Sequence, residues 1–176
     1  MVTANEFSHV VKISEVGNHS RNLRLSADEA ARHALMARFD LAALDNLEAE
    51  ISLKHEADAV IATGRFTASL AQFCIATHDP VPAKLDEAIH IQFIVEPTSN
   101  GEVELELAPE DCDTMFHDGQ TIDLGEAVAQ SMCLALNPYP RSPEAEKILK
   151  AAGVKSEEDV APVGALAGLK DLLAKK

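Results

Sequence analysis

The sequence predicts an α+β fold: an antiparallel or mixed β-sheet of about 5–7 strands with two packed helices and a C-terminal appendage. Three observations lead there. Apolar and polar residues alternate with period two over several separate runs, as half-buried strands require. Two other runs carry helical spacing and open on residues that cap helices. The chain has 176 residues, 47% of them hydrophobic and 25% charged, the composition of an ordinary globular domain. A chain of this length buries roughly 70% of its unfolded surface, enough for one core without a metal or disulfide.

The elements follow in order. Phe7, His9, Val11 and Ile13 share one parity and predict a first strand over 7–13. Gly17, Asn18 and Ser20 mark a turn, and Asn22–Leu25 reads as a short strand entering a helix. Ser26 and Glu29 stand at capping-box spacing, so the helix is expected to run from Ala27 to about Arg38, with Ala27, Ala30, Ala31, Ala34 and Leu35 as its apolar stripe.

Strands then dominate. Ala49, Ile51 and Leu53 alternate with Glu48, Glu50, Ser52 and Lys54. Phe66, Ala68, Leu70, Gln72 and Cys74 alternate with Arg65, Thr67, Ser69 and Ala71, and Gly64 suggests a bulge or bend in a longer strand from Val60. Ile89, Ile91, Phe93 and Val95 alternate with His90 and Gln92. Asn100-Gly101 is a strong hairpin signal, followed by Val103, Leu105 and Leu107 alternating with Glu102, Glu104 and Glu106. Pro109–Gln120 reads as polar loop. Asp123 with Glu126 opens a second helix over about 124–137, lined by Leu124, Val128, Ser131 and Ala135 and broadened by Leu134 and Leu136; Pro138 and Pro140 end it. Residues 1–142 are thus expected to form the domain. Residues 143–176 form a linker with a short helix near Pro143–Ala152, then a small helical tail.

Charge excludes some functions. The net charge is −14, and twelve of the 29 acids fall between Leu85 and Pro140, a stretch without Lys or Arg. Such a segment repels a phosphate backbone, whereas nucleic-acid binders carry basic stripes. It either keeps the protein soluble as a solvated face or attracts basic partners. The N-terminus lacks the basic and apolar regions of a secretory signal, no run of 18 apolar residues occurs, and three cysteines are an odd count that argues against a disulfide framework. A cytoplasmic protein is expected.

Chemical motifs are sparse. Cys74, His78, Cys112 and His117 are of zinc-ligand type, but neither pair has knuckle spacing. His78-Asp79 and His117-Asp118 are dipeptides of the kind metal-dependent phosphohydrolases use, which makes a small phosphohydrolase the alternative enzyme reading. Cys74, at a strand end among apolar residues, is expected to be an inert buried thiol, since burial raises a thiol pKa. Cys133 falls within a helix. No phosphate-binding glycine loop is present.

Two blocks are more specific. One is Gln72-Phe-Cys-Ile-Ala-Thr-His-Asp-Pro-Val-Pro82 with the strand to Glu96. The other is Ile122-Asp-Leu-Gly-Glu-Ala-Val-Ala-Gln, continuing through Leu134-Ala-Leu-Asn-Pro-Tyr-Pro-Arg141. Together they resemble the YceD family of bacterial large ribosomal RNA subunit accumulation proteins. Helix 27–39 and the Leu41-x2-Leu44-x2-Leu47 spacing also look like its N-terminal half, and the end around Leu166–Lys176 resembles the tail of alphaproteobacterial members. The resemblance covers about residues 7–142. It implies a non-enzymatic, cytoplasmic factor supporting accumulation of large-subunit ribosomal RNA in ribosome biogenesis, with no cofactor. Many members carry a Cys-x2-Cys pair in the first block; here Cys74 is followed by Thr77, a departure that weakens a zinc site.

Charge and resemblance combine into one expectation. A basic ribosomal protein, or an assembly particle through its proteins, binds an acidic surface of Glu102, Glu104, Glu106, Glu110, Asp111 and Asp113. Tyr139 and Arg141 are a candidate exposed recognition pair. Direct RNA contact would instead need Arg21, Arg24, Arg32, Arg38, Lys54 and Arg65 to gather on one face. An acidic adaptor without a ribosomal link is a third reading.

Overall fold

The computed structural model describes residues 6–96 and 113–154. In chain order these form β1 (Val10–Lys12), a 3-10 turn (Ile13–Glu15), β2 (Arg21–Ser26), α1 (Glu29–Phe39), β3 (Leu41–Glu56) and β4 (Ala59–Phe73). Then come β5 (Pro80–Val95), β6 (Thr114–His117), β7 (Thr121–Asp123), α2 (Leu124–Ala135) and α3 (Ala145–Ala151). The fold is α+β, with a five-stranded sheet in the order β2-β3-β4-β5-β6 and a separate β1-β7 pair. β2 to β5 run antiparallel, and β6 joins β5 in parallel, so the main sheet is mixed.

The alternation in the sequence decides which face is dry. Leu47, Ala49, Ile51 and Leu53 of β3 pair with Ala68, Phe66, Gly64 and Ala62 of β4, and the inward side chains are buried. Ile89, Ile91 and Phe93 continue that face on β5. Ala31 and Leu35 of α1 and Leu124, Val128 and Met132 of α2 complete one core with it. Burying a Leu, Ile or Phe side chain contributes about 1.5–3 kcal/mol, so this shared face is the main source of stability.

Leu41, Leu44 and Leu47 recur every three residues, a spacing foreign to a regular strand. All three are buried on β3. Register shifts between Leu41 and Ala43 and between Leu44 and Asn46 account for it. Each extra residue flips the parity once and returns the next leucine to the core.

Several expectations are corrected. The cap of α1 is Asp28, whose carboxylate accepts the Ala31 N–H at 2.8 Å; Ser26 is instead paired with Glu48 in the sheet. The first strand shrinks to Val10–Lys12, although Phe7 and Val11 are buried as its parity implied. Gly64 causes no register shift. It permits a close approach, since a Cβ there would lie 2.0 Å from the Glu50 carbonyl oxygen. The supposed loop 109–120 contains β6 and runs into β7. α2 ends at Ala135, and Leu134 points outward at 85% exposure rather than broadening the buried face.

β5 begins at Pro80, nine residues before the alternation that announced it. Its partners are β4 as far as Ile94 on one side and β6 over Gln92–Val95 on the other. The hairpin expected at Asn100-Gly101 lies outside the described residues. Residues 102–107 and the tail expected over 163–176 lie outside the described residues. The short helix expected near Pro143–Ala152 is α3, and its first residue, Ala145, is buried.

Candidate functional site

Of the acidic contact residues expected from the sequence, Glu102, Glu104, Glu106, Glu110 and Asp111 lie outside the described residues. Asp113 is exposed at the entry to β6, and its carbonyl accepts the Gln92 N–H at 3.0 Å. The other described acids of segment 85–140 divide by use. Asp123 caps α2 through the N–H groups of Gly125 and Glu126 at 3.0 and 3.2 Å. It also holds the N-terminal segment through the Ser8 hydroxyl and the His9 N–H at 2.7 and 2.8 Å. Glu126 forms a forked pair with Arg38, Asp86 pairs with Arg65, and the Asp118 carboxylate accepts the Gln120 and Thr121 N–H groups at 2.8 and 2.9 Å. Those two N–H groups hold the Asp118 carboxyl below its usual range. Four acids thus serve the fold and Glu96 is exposed just past β5, whereas Glu87 and Asp113 stand on the rim of a groove between α2 and β5.

That groove is built by two elements. Phe66, Ile89 and Ile91 from the sheet form its floor, and Ser131, Leu134 and Ala135 of α2 form one wall. It continues past Met115 and Gln130 toward β6. Among the described residues, neither Lys nor Arg lines it. The surface is therefore apolar at the bottom and acidic at the lip.

A second feature joins the two sequence blocks. The loop after β4 and the loop after α2 are stitched together at the end of the sheet. Gln72 donates from its side chain to the Asn137 carbonyl at 2.8 Å, and the Ile75 N–H donates to the Pro140 carbonyl at 3.0 Å. The Ser142 N–H donates to Cys74 Sγ at 3.2 Å, and the Thr77 and Ser142 hydroxyls lie 3.2 Å apart. Burial pushes the Cys74 thiol up, but hydrogen bonds from Thr77, Ser142 and the Ala76 N–H outweigh it and bring the pKa down to about 6. The expectation of an inert thiol with a raised pKa is corrected accordingly, because burial beside donors differs from burial in hydrocarbon. Tyr139 is 70% exposed and Ile75 54% exposed on the rim of this junction, and Arg141 is exposed with them.

No family model, curated protein or solved structure matches this chain.

Geometry also separates the residues of the hydrolase alternative. His78 and Asp79 sit in the turn that leads into Pro80, where His78 adopts a φ of 61° and stacks on Phe73 with ring centroids 4.3 Å apart. His117 pairs with Val95 at the far end of β5, and its Nδ1 accepts the Gly119 N–H at 2.9 Å. At about 3.3 Å per residue, the length of β5 holds the two dipeptides roughly 50 Å apart. One ion cannot take ligands from both. The same distance divides Cys74 and His78 from His117 as a zinc set, and Cys112 lies outside the described residues. Among the described residues, no three of His, Cys, Asp and Glu gather as a metal site.

The six basic residues that direct RNA contact would require do not gather either. Arg24, Lys54 and Arg65 occupy the open sheet face, each paired with an acid: Glu50 at 2.8 Å, Glu56 at 2.6 Å, and Asp86. Arg21 pairs with Glu15 at 3.2 Å, Arg32 donates to the Ala27 carbonyl at 2.8 Å, and Arg38 holds Glu6 and Glu126. No helix among the described residues is long and apolar enough to cross a membrane.

The groove escaped sequence reasoning because it needs β5 to extend back to Pro80 and Leu134 to face out. The signal available was Glu87, a charge standing at the parity of Ile89 and Ile91.

Proposed function

We propose that this protein is a non-enzymatic, cytoplasmic binding factor that supports accumulation of large-subunit ribosomal RNA by holding a basic ribosomal protein, or an assembly particle through its proteins. The YceD resemblance of the two sequence blocks suggests the process. The observation that carries the binding mode is the base-free stretch from Leu85 to Pro140, of which Glu87 and Asp113 border an open groove. The engagement of every one of the six basic candidates with an acid or a carbonyl favours a protein partner over RNA. The separation of the two His-Asp dipeptides along β5 weighs against the phosphohydrolase alternative.

The test is a quantitative pull-down from native lysate at low and high salt. It uses the wild type and a variant with Glu102, Glu104 and Glu106 changed to Gln. Large-subunit ribosomal proteins should be enriched by the wild type and lost at high salt, because exposed charge pairs are screened beyond about 10 Å at 0.1 M. Enrichment that ignores salt would overturn the electrostatic mode. The absence of ribosomal components from every eluate would overturn the ribosomal reading itself.

A further inference from the structure

We propose that the edge of β5 over Lys84–Ile91, which no strand pairs among the described residues, together with the groove beside α2, binds an extended basic segment of a partner protein as an added β-strand. This rests on the protein-binding reading above and names the partner's chemistry and place of docking.

Backbone parity carries the first half. Gln92 and Glu96 turn their N–H groups toward β6, donating to Asp113 and His117 carbonyls at 3.0 and 3.1 Å. β5 pairs with β4 in an unbroken register from Pro80 to Ile94, so every even residue of β5 faces the same outer lane. β6 fills that lane only over Gln92–Val95. Upstream, Lys84, Ala88 and His90 present N–H and C=O groups for which no strand partner exists among the described residues. Pro80 and Pro82 share this parity, so their missing N–H groups cost the β4–β5 ladder nothing. They also close the lane at its start, since a strand needs donors there. The receptive stretch is therefore bounded by prolines at one end and β6 at the other.

The groove supplies the second half. A strand laid beside Ala88 and His90 would project alternate side chains toward Ile89, Ile91 and Leu134 on the inner side. Leu134 is 85% exposed without such a neighbour. Glu87 and Asp113 flank the groove end of this lane, where neither Lys nor Arg lines the groove among the described residues. Main-chain bonds then give affinity, while an apolar floor between carboxylates selects a segment that alternates apolar and basic residues.

The experiment uses the full chain and two synthetic octapeptides, one alternating valine and threonine with lysine, the other with glutamate. Amide exchange is read residue by residue, and binding is titrated. The lysine peptide should slow exchange at Ala88 and His90, and the glutamate peptide should leave both unchanged. Ala88→Pro removes one outward donor without touching the β4 ladder and should weaken the lysine peptide about tenfold, as should Glu87→Lys with Asp113→Lys. If Ala88→Pro fails to fold, the charge variant and the wild-type exchange map still decide. Unchanged exchange at Ala88 and His90, or equal binding of both peptides, would overturn the proposal. Ribosomal RNA levels in cells lacking the protein separate the two readings. If the wild type restores them and the Glu87→Lys/Asp113→Lys variant does so equally, the groove is not the docking site and the ribosomal role stands. If the wild type restores nothing, the ribosomal role fails and the peptide result is judged on its own.

Discussion

Arg38 and Glu126, 88 residues apart in sequence, form a forked ion pair with N–O distances of 2.7 and 2.8 Å that ties the last turn of α1 to the first turn of α2. Each charge also suits its own helix, a cation near a C-terminus and an anion near an N-terminus. Glu126 side-chain exposure is 14%, so the pair is screened less than a surface bridge. Asp123 caps α2, and the Glu126 carboxylate, placed by the sequence at the opening of the helix, reaches across to Arg38 instead.

Arg38 holds the Glu126 carboxyl below its usual range. The folded pKa is thus depressed relative to the unfolded chain. The stabilisation is full above the unfolded value of about 4.3 and is lost as pH falls through the folded value. Arg38→Met should lower stability at neutral pH by about 1–3 kcal/mol. Its unfolding midpoint should also fall less than the wild type's when pH is lowered below about 4.5. Denaturant unfolding at several pH values checks both. Parallel acid limbs in the two proteins would refute the linkage.

Cys74 gives a second pH signature. Its thiol is brought from 9.0 down to about 6 in the folded protein. A depressed pKa stabilises fully above the unfolded value and loses that contribution as pH falls toward the folded one. Between about pH 6 and 9 wild-type stability should therefore rise with pH relative to Cys74→Ser, whose hydroxyl does not titrate in that range. Thermal melts with Cys112 and Cys133 replaced by Ser in both proteins isolate the effect. Equal pH slopes would show that the thiolate is not favoured.

Two glycines sit where a side chain has no room. A Cβ at Gly64 would lie 2.0 Å from the Glu50 carbonyl oxygen, and one at Gly125 would lie 2.5 Å from that of Phe7. Both obstacles are backbone and cannot rotate away. Gly64→Ala and Gly125→Ala should each cost about 1–3 kcal/mol or more, a drop of about 2–4 °C in Tm per kcal/mol. Calorimetry would show it, and wild-type melting of Gly64→Ala would contradict the close approach of β3 and β4.

Asp123 serves α2 and the N-terminal segment at once. Asp123→Ala should cost about 1–2 kcal/mol from the lost cap alone. It should also speed amide exchange at His9 and in β1, since the carboxylate accepts from His9 and Ser8. Cap loss without faster exchange at His9 would leave the clamp unsupported.

Some of the architecture was legible in advance. Ala49, Ile51 and Leu53 against Glu48 and Glu50 announced β3, because a strand with one wet face must alternate. Asp123 announced α2 for a local reason, since its carboxylate caps N–H groups two and three residues away. β5 was half legible: Ile89 to Val95 alternate, but Pro80, Pro82 and the charges at Lys84, Asp86 and Glu87 resemble loop residues. They are tolerated because no strand pairs with the outer edge of β5 there among the described residues. The sequence pointed to Ser26 as the cap of α1, and only its pairing with Glu48 in the sheet leaves that place to Asp28.

The sequence by itself determined the α+β class, the dry faces of the long strands, the two helices and the uneven charge, because these follow from periodicity and composition within short windows. The tertiary structure decided which residues share space. It placed β6 parallel to β5, divided the acids into those that hold the fold and those that border a groove, surrounded Cys74 with donors, and put the two His-Asp dipeptides at opposite ends of one strand. The physical reason is the same in each case: hydrogen-bond partners, burial and separation depend on contacts between residues tens of positions apart, which local patterns do not encode.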